Sequence, residues 1–271
     1  MEAKVQRWVQ RQGWDKAVSH YQTYWQQQLQ PAHEGVLGLA DLRPGQHVID
    51  IACGTGMVTL PAATAVGPDG HVLATDLAQR MVDDTGRRAQ LAGLSNVEAR
   101  RCDAEQLDAT GPFDVALCSL GLMYVPSPPT AVSEMHRVLR PGGVAVVSTW
   151  GERRRCGWAE LFPIVDARVS SDVCPLFFAL GTGNCLSDLL GRAGFTDIDL
   201  LRLSVDLVYD DEAAALGAAF LGGPVALAYS RFDDATKASA HDDYLASIAP
   251  YREGSGYRVP GEFVIAAGRR P

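Results

Sequence analysis

Val48-Ile49-Asp50-Ile51-Ala52-Cys53-Gly54-Thr55-Gly56-Met57-Val58-Thr59-Leu60 decides the fold, because an apolar strand-like run turns through two glycines directly into a helical pattern. Such a turn lies at the carboxyl end of the first strand of a parallel sheet, where a helix N-terminus can receive a nucleotide-like ligand. Gly54 and Gly56 let the backbone approach a ligand with no Cβ in the way, and Asp50 offers a fixed acceptor beside the gap. Taken alone, the two glycines are equally a plain βα turn of a doubly wound sheet.

Three later features sharpen the reading. Asp76 closes a second strand-like run, Val72-Leu73-Ala74-Thr75, at the distance from the glycines where an acidic residue accepts ribose hydroxyls. Cys102-Asp103-Ala104-Glu105 follows Val97-Glu98-Ala99-Arg100, the end of a third strand, and puts Asp103 within reach of an adenine amino group. A fourth strand, Phe113-Asp114-Val115-Ala116-Leu117-Cys118-Ser119, is followed by a helix and by Arg137-Val138-Leu139-Arg140-Pro141-Gly142-Gly143. From about Gly45 to Trp150 this series resembles the class I S-adenosylmethionine-dependent methyltransferases, specifically the menaquinone- and ubiquinone-biosynthesis-like small-molecule group.

The resemblance implies an α/β fold: a Rossmann-like, seven-stranded, mostly parallel sheet with one antiparallel strand, an N-terminal lid helix and a cap between strands five and six. It implies S-adenosyl-L-methionine as cofactor. Asp50 would open the loop that holds the methionine part, with Ala52, Gly54 and Gly56 in that loop. Asp76 would take the ribose, with Leu77 and Met81 beside the adenosine, and Asp103 the adenine amino group, with Ala104 next to it. Ser119 would touch the methionine end, and Tyr24 would reach the cofactor from the lid. Many members carry glycine at the position of Ala52. A nicotinamide dinucleotide is the competing ligand, but the spacing that should give its third glycine gives Thr59.

The 271 residues are enough to bury a sizeable core, and one methyltransferase domain spanning 1–271 is expected: a lid over 1–40, a cofactor core over 45–150, and cap elements over 151–195 and 210–250. A net charge of −8 argues against nucleic acid, whose affinity rests on Lys and Arg neutralising phosphates. Strand four also lacks the Asn/Asp-Pro-Pro-aromatic tetrapeptide of base-amino methyltransferases. The expected partner is a small-molecule acceptor. The six cysteines have no metal or redox spacing and read as buried small residues of a reducing compartment. With no apolar leader at the start and no run of membrane-spanning length, a cytoplasmic location is expected.

Helical spacing of Trp8, Trp14, Val18, Tyr21, Tyr24, Trp25 and Leu29 predicts a helix over 5–30 stopped by Pro31. Its aromatic face is either the lid over the cofactor or simple packing on the body. Helices are also expected over 78–92, 130–140, 186–194, 211–222 and 233–248, and strands over 144–150, 197–209 and 261–268, the last antiparallel. Arg153-Arg154-Arg155 reads as a solvated helix start or as a clamp for an anionic acceptor.

Methyl transfer from a sulfonium is an in-line displacement that alignment alone can accelerate, with a general base needed only for a protonated nucleophile. His20 and Tyr21 on the lid and Tyr124 after strand four are the candidate catalytic side chains; His136 reads as a packing residue. No clustered Asp/Asn set follows strand four, so no metal is expected. An NAD(P)-dependent oxidoreductase, a noncatalytic cofactor-binding module and a cyclase on the same scaffold are the alternatives.

Overall fold

The structure, a computed structural model, describes residues 2–169 and 177–271. Cys174 and part of the expected cap lie outside the described residues. The chain opens with helix α1 (Ala3–Ala40), then β1 (His47–Ile51), α2 (Thr59–Val66), β2 (His71–Asp76), α3 (Gln79–Leu91), β3 (Val97–Arg101), β4 (Phe113–Ser119), α4 (Pro128–Val138) and β5 (Leu139–Trp150). After the cap come β6 (Thr196–Tyr209), a two-residue β7 (Arg252–Glu253) and β8 (Gly256–Arg269). The sheet order is β3-β2-β1-β4-β5-β8-β6, with β7 folded back on β8 as a short hairpin. β1 to β5 run parallel, while β8 is antiparallel to both β5 and β6. The expected seven strands are all present, and the closing strand lies between strands five and six.

The order reverses between β1 and β4, and at such a switch point the crevice beyond the strands' carboxyl ends is free to take a ligand. β1 and β4 are buried on both faces, as their unbroken apolar runs require.

Pro31 does not stop the first helix, which continues for nine more residues to Ala40. A proline inside a helix costs about 3 kcal/mol. Burial on the far side offsets it: Leu29, Ala32, Val36 and Ala40 are all packed away from water. Gly35 lets the helix settle so closely on β8 that a Cβ there would lie 2.2 Å from Ile265 Cδ1. The Gln28 amide pairs with both backbone groups of Val208 on β6, its Oε1 accepting from the Val208 N–H at 2.9 Å. The C-terminal half of α1 is therefore a packing element, and only its N-terminal half reaches the crevice.

Two other segments depart from expectation. The run over 211–222 is a short helix, Glu212–Leu216, that widens into a π-turn over Gly217–Leu221. The wider turn turns the Ala218 carbonyl toward Trp25, whose indole N–H donates to it at 3.2 Å. The triple arginine forms a 3₁₀ turn, Arg153–Arg155, rather than a helix start, and its guanidiniums are engaged by Glu160, Glu152 and Glu262. Among the described cysteines Cys53, Cys118 and Cys156 are buried, whereas Cys102 is half-buried and Cys185 exposed.

Candidate active site

The glycine turn is held from three sides. The Gly54 N–H donates to Asp76 Oδ2 at 3.0 Å, and the Gly54 carbonyl accepts from Thr85 Oγ1 at 2.8 Å. The Ala78 N–H donates to Asp76 Oδ1 at 2.9 Å, so one carboxylate ties the glycine loop to the start of α3. Behind the loop, Thr59 Oγ1 donates to Asp50 Oδ2 at 2.6 Å, with both side chains fully buried. Thr59 is the residue that breaks the dinucleotide fingerprint, and its hydroxyl is the partner of the buried aspartate.

Two backbone positions carry strain. Ala52 in the glycine turn has φ 57°, and Leu120 after β4 has φ 56°. A non-glycine residue in the left-handed region costs roughly 1–2 kcal/mol, and such outliers gather at functional sites. Leu120 is held by its N–H donating to the Ser148 carbonyl at 3.0 Å. The Ala52 methyl fits because Gly121 faces it: a Cβ at Gly121 would lie 2.5 Å from Ala52 Cβ and 2.8 Å from Cys118 Sγ.

These elements line a cavity at the carboxyl ends of β1, β2 and β4. Of the residues singled out in the sequence, Ala52, Gly54, Asp76, Leu77 and Met81 line it, as do Asp103, Ala104, Ser119, Tyr21 and Tyr124. Four do not. Asp50 lies beneath the loop, bonded to Thr59. Gly56 (φ 84°) presses on Leu60 and Thr85 on the loop's other side. Tyr24 packs on Gly217, where a Cβ would lie 2.2 Å from its Cζ, and stacks on His20. His20 is exposed. His136 packs against Phe195 at a centroid distance of 5.0 Å.

The sequence reading missed the lid's own contacts. Arg7 bridges Asp103 at 2.8 Å and Glu105 at 2.7 Å, latching the start of α1 over the cavity. Asp15 adds a second latch, accepting the Arg80 N–H at 3.0 Å, and Gln6 donates to the Tyr124 carbonyl at 3.3 Å. Trp14 stands edge-on to both Tyr21 and Tyr124, with centroids 5.4 and 5.2 Å away. No spacing rule pairs Arg7 with carboxylates about a hundred residues away, so this signal was absent from the sequence.

Burial sets the electrostatics. It raises the Asp76 carboxyl to about 6, against the opposing pull of the Ala78 and Gly54 N–H groups. It raises Asp50 to about 7, with the Thr59 hydroxyl opposing and the Asp76 charge adding. Tyr21 is half-buried as a side chain, but protein atoms surround its hydroxyl; burial first, and then the Asp76 charge, push it well above the usual phenol range. Both effects favour the neutral phenol form of Tyr21.

The cavity suits an adenosyl sulfonium ligand. Asp76 keeps lone pairs for a vicinal diol beyond its two backbone bonds, the glycine-lined backbone permits close approach, and Met81 and Ala104 give an apolar bed. Among the described residues, the arginine that lines the cavity, Arg7, is committed to Asp103 and Glu105 and is not free for a pyrophosphate.

The comparisons with known proteins agree. A family model described as a methyltransferase domain matches residues 48–143. Nocamycin O-methyltransferase from Saccharothrix syringae is 31% identical over 202 residues, covering 69% of this chain and 72% of that protein. The demethylmenaquinone methyltransferase of Geobacillus stearothermophilus is 32% identical over 128 residues, which is 47% of this chain and 55% of its own length. In fold, the chain is similar to phosphoethanolamine N-methyltransferase 2 from Haemonchus contortus solved with S-adenosyl-L-methionine, at a TM-score of 0.60, 15% identity, and coverage of 95% of this chain and 57% of that one. With the nucleotide-type crevice, the buried Asp76 carboxylate at its edge and these relatives together, the chain belongs to the S-adenosylmethionine-dependent class I methyltransferases.

Proposed function

We propose that this enzyme transfers the methyl group of S-adenosylmethionine to a small organic acceptor seated in a second cavity beside the first. The observation that carries the reading is the junction of the two. A smaller cavity shares Trp14, Tyr21, Leu120 and Tyr124 with the cofactor cavity, and meets it where Ala52, Ser119 and Gly121 line the end matching the methionine part of the cofactor. When bound, S-adenosylmethionine supplies an electrophilic methyl on a positively charged sulfur. The chain's part is to bind and align: Asp76 holds the ribose, the Gly54 turn lets the ligand close to the backbone, and α1 shuts water out above.

The Asp103 carboxylate already accepts from the Glu105 N–H at 2.9 Å and pairs with Arg7, so an adenine amino group would join that arrangement as a further donor. The acceptor's own acidity releases its proton to water, because the junction presents one indole and two phenol rings, Trp14 edge-on to Tyr21 and Tyr124, and a leucine, and His20 is exposed away from it. Holding two reactants in attack geometry is worth up to roughly 7–11 kcal/mol without any base. Parallel calorimetric titration with S-adenosylmethionine, S-adenosylhomocysteine and NADPH tests the reading. Micromolar binding of the two sulfur ligands alone is expected, and binding of NADPH alone would overturn it.

A further inference from the structure

Ser119 and Ser148 are partners in the parallel register of β4 and β5, with their hydroxyl oxygens 3.0 Å apart. Distance alone does not say which of the two donates. Their surroundings do. Ser148 is completely buried, and the Leu120 N–H, which also meets the Ser148 carbonyl, approaches its Oγ at 3.2 Å. An N–H only donates, so it occupies a lone pair of the Ser148 hydroxyl and leaves the Ser148 proton to be placed. Among the described residues the one acceptor within its reach is Ser119 Oγ.

Ser119 is half-buried and lines the cofactor cavity, so a proton that it does not spend on Ser148 is met by whatever fills that cavity. Turning the pair round would strand the Ser148 proton in the core, which disfavours that arrangement by roughly fivefold to a hundredfold. The hydrogen bonds therefore run one way: Leu120 N–H to Ser148, Ser148 to Ser119, and Ser119 into the cavity. Each bond polarises the next. The chain begins at Leu120, the residue held at φ 56° after β4, so the strained turn and the cavity wall share one buried hydroxyl.

Resting on the reading above that seats the methionine part of the cofactor beside Ala52, Ser119 and Gly121, we propose that Ser148 is a positioning residue that fixes the Ser119 hydroxyl as a hydrogen-bond donor there, and that the group it serves is the carboxylate of the amino-acid part and not its ammonium. An oriented O–H suits an anion, because a hydrogen bond to a charged acceptor is roughly twice as strong as one between neutral groups. It is mismatched to an ammonium, which offers protons and no lone pair.

Calorimetric titration with S-adenosylhomocysteine and with its two analogues lacking either the α-carboxylate or the α-amino group tests the assignment. Ser119→Ala should weaken the two carboxylate-bearing ligands about tenfold, the effect of one charge-assisted hydrogen bond, and leave the decarboxylated analogue within about twofold. Ser148→Ala should weaken the same two ligands about threefold, because a freed hydroxyl spreads over roughly three staggered positions, and should add nothing further in a Ser119→Ala background. Ser148→Thr, which retains the hydroxyl, should keep the parent's affinities. A loss in Ser119→Ala that falls on the two amino-bearing ligands instead would reverse the direction of donation and overturn the assignment. Equal losses for all three ligands, or an undiminished effect of Ser148→Ala without the Ser119 hydroxyl, would mark a packing role and overturn it as well. The Ser119→Ala comparison decides the direction by itself if the Ser148 variants fail to fold. Failure of the parent to bind any of the three ligands would refute the cofactor site and this assignment with it, whereas binding of all three that neither serine alters would refute the assignment alone.

Discussion

Replacing Asp76 with alanine should separate binding from stability. In the folded protein the carboxyl is raised from 3.8 to about 6 by burial, and at about 1.4 kcal/mol per pH unit this is roughly 3 kcal/mol of destabilisation when ionised. The sign follows from proton counting: the folded state holds its proton to higher pH than the unfolded chain, so stability is highest below about pH 4 and falls as pH rises to about 6. Asp76→Ala removes that loss but strands the Gly54 and Ala78 N–H groups, at about 1–3 kcal/mol each if water does not reach them. The two effects nearly cancel, and ligand-free stability near pH 7.5 should change by no more than about 2 kcal/mol. Binding has no such compensation. Two charge-assisted hydrogen bonds to ribose, about 1.5–3 kcal/mol each, are lost, and affinity for S-adenosylhomocysteine should fall about a hundredfold or more by calorimetry. The parent's affinity should also fall about tenfold per pH unit below about 6, as the carboxylate protonates, and this slope should vanish in the variant. Unchanged affinity in Asp76→Ala, or the same slope in parent and variant, would refute the reasoning and point to another group.

Thr59→Val should destabilise the protein by about 2 kcal/mol at pH 8 and by less at pH 5, since the buried Asp50, raised to about 7, loses its hydroxyl donor only at a cost that grows when it is ionised; urea melts at the two pH values measure the difference. Gly121→Ala should cost about 1–3 kcal/mol by overpacking against Ala52 Cβ and Cys118 Sγ, and adding Ala52→Gly should recover part of it, so strictly additive effects in the double-mutant cycle would contradict the contact. Arg7→Ala should loosen the lid while sparing the core: amide exchange over 3–14 should quicken and S-adenosylhomocysteine should leave several-fold faster, the scale of a half-exposed ion pair of about 1 kcal/mol.

Much of the cofactor cavity is legible in the sequence because its chemistry is carried by short local segments. Gly54 follows β1 by three residues, Asp76 ends β2 and Ser119 ends β4, and parallel strand ends necessarily converge at a switch point. Where local pattern had to stand for packing, the reading fell short. Pro31 signals a helix end by its missing N–H, but the apolar stripe beyond it had a sheet to bury against. His20 and Tyr24 were drawn toward the site by their helix, and a rotation of about 100° per residue along it puts Tyr21 at the cavity while these two stack on one another outside.

The sequence by itself determined the order of elements, the class of fold and the residues whose role follows from position at a strand end, because strand and glycine-turn signals extend over a few residues. Only the tertiary structure decided that Thr59 serves Asp50, that Arg7 closes the lid on Asp103 and Glu105, and that aromatic residues from α1, the turn after β4, β5 and the cap meet in one cavity whose described wall carries no charge. Those contacts join residues far apart in the chain, and their geometry is set by how the layers pack, a property that no local run of amino acids encodes.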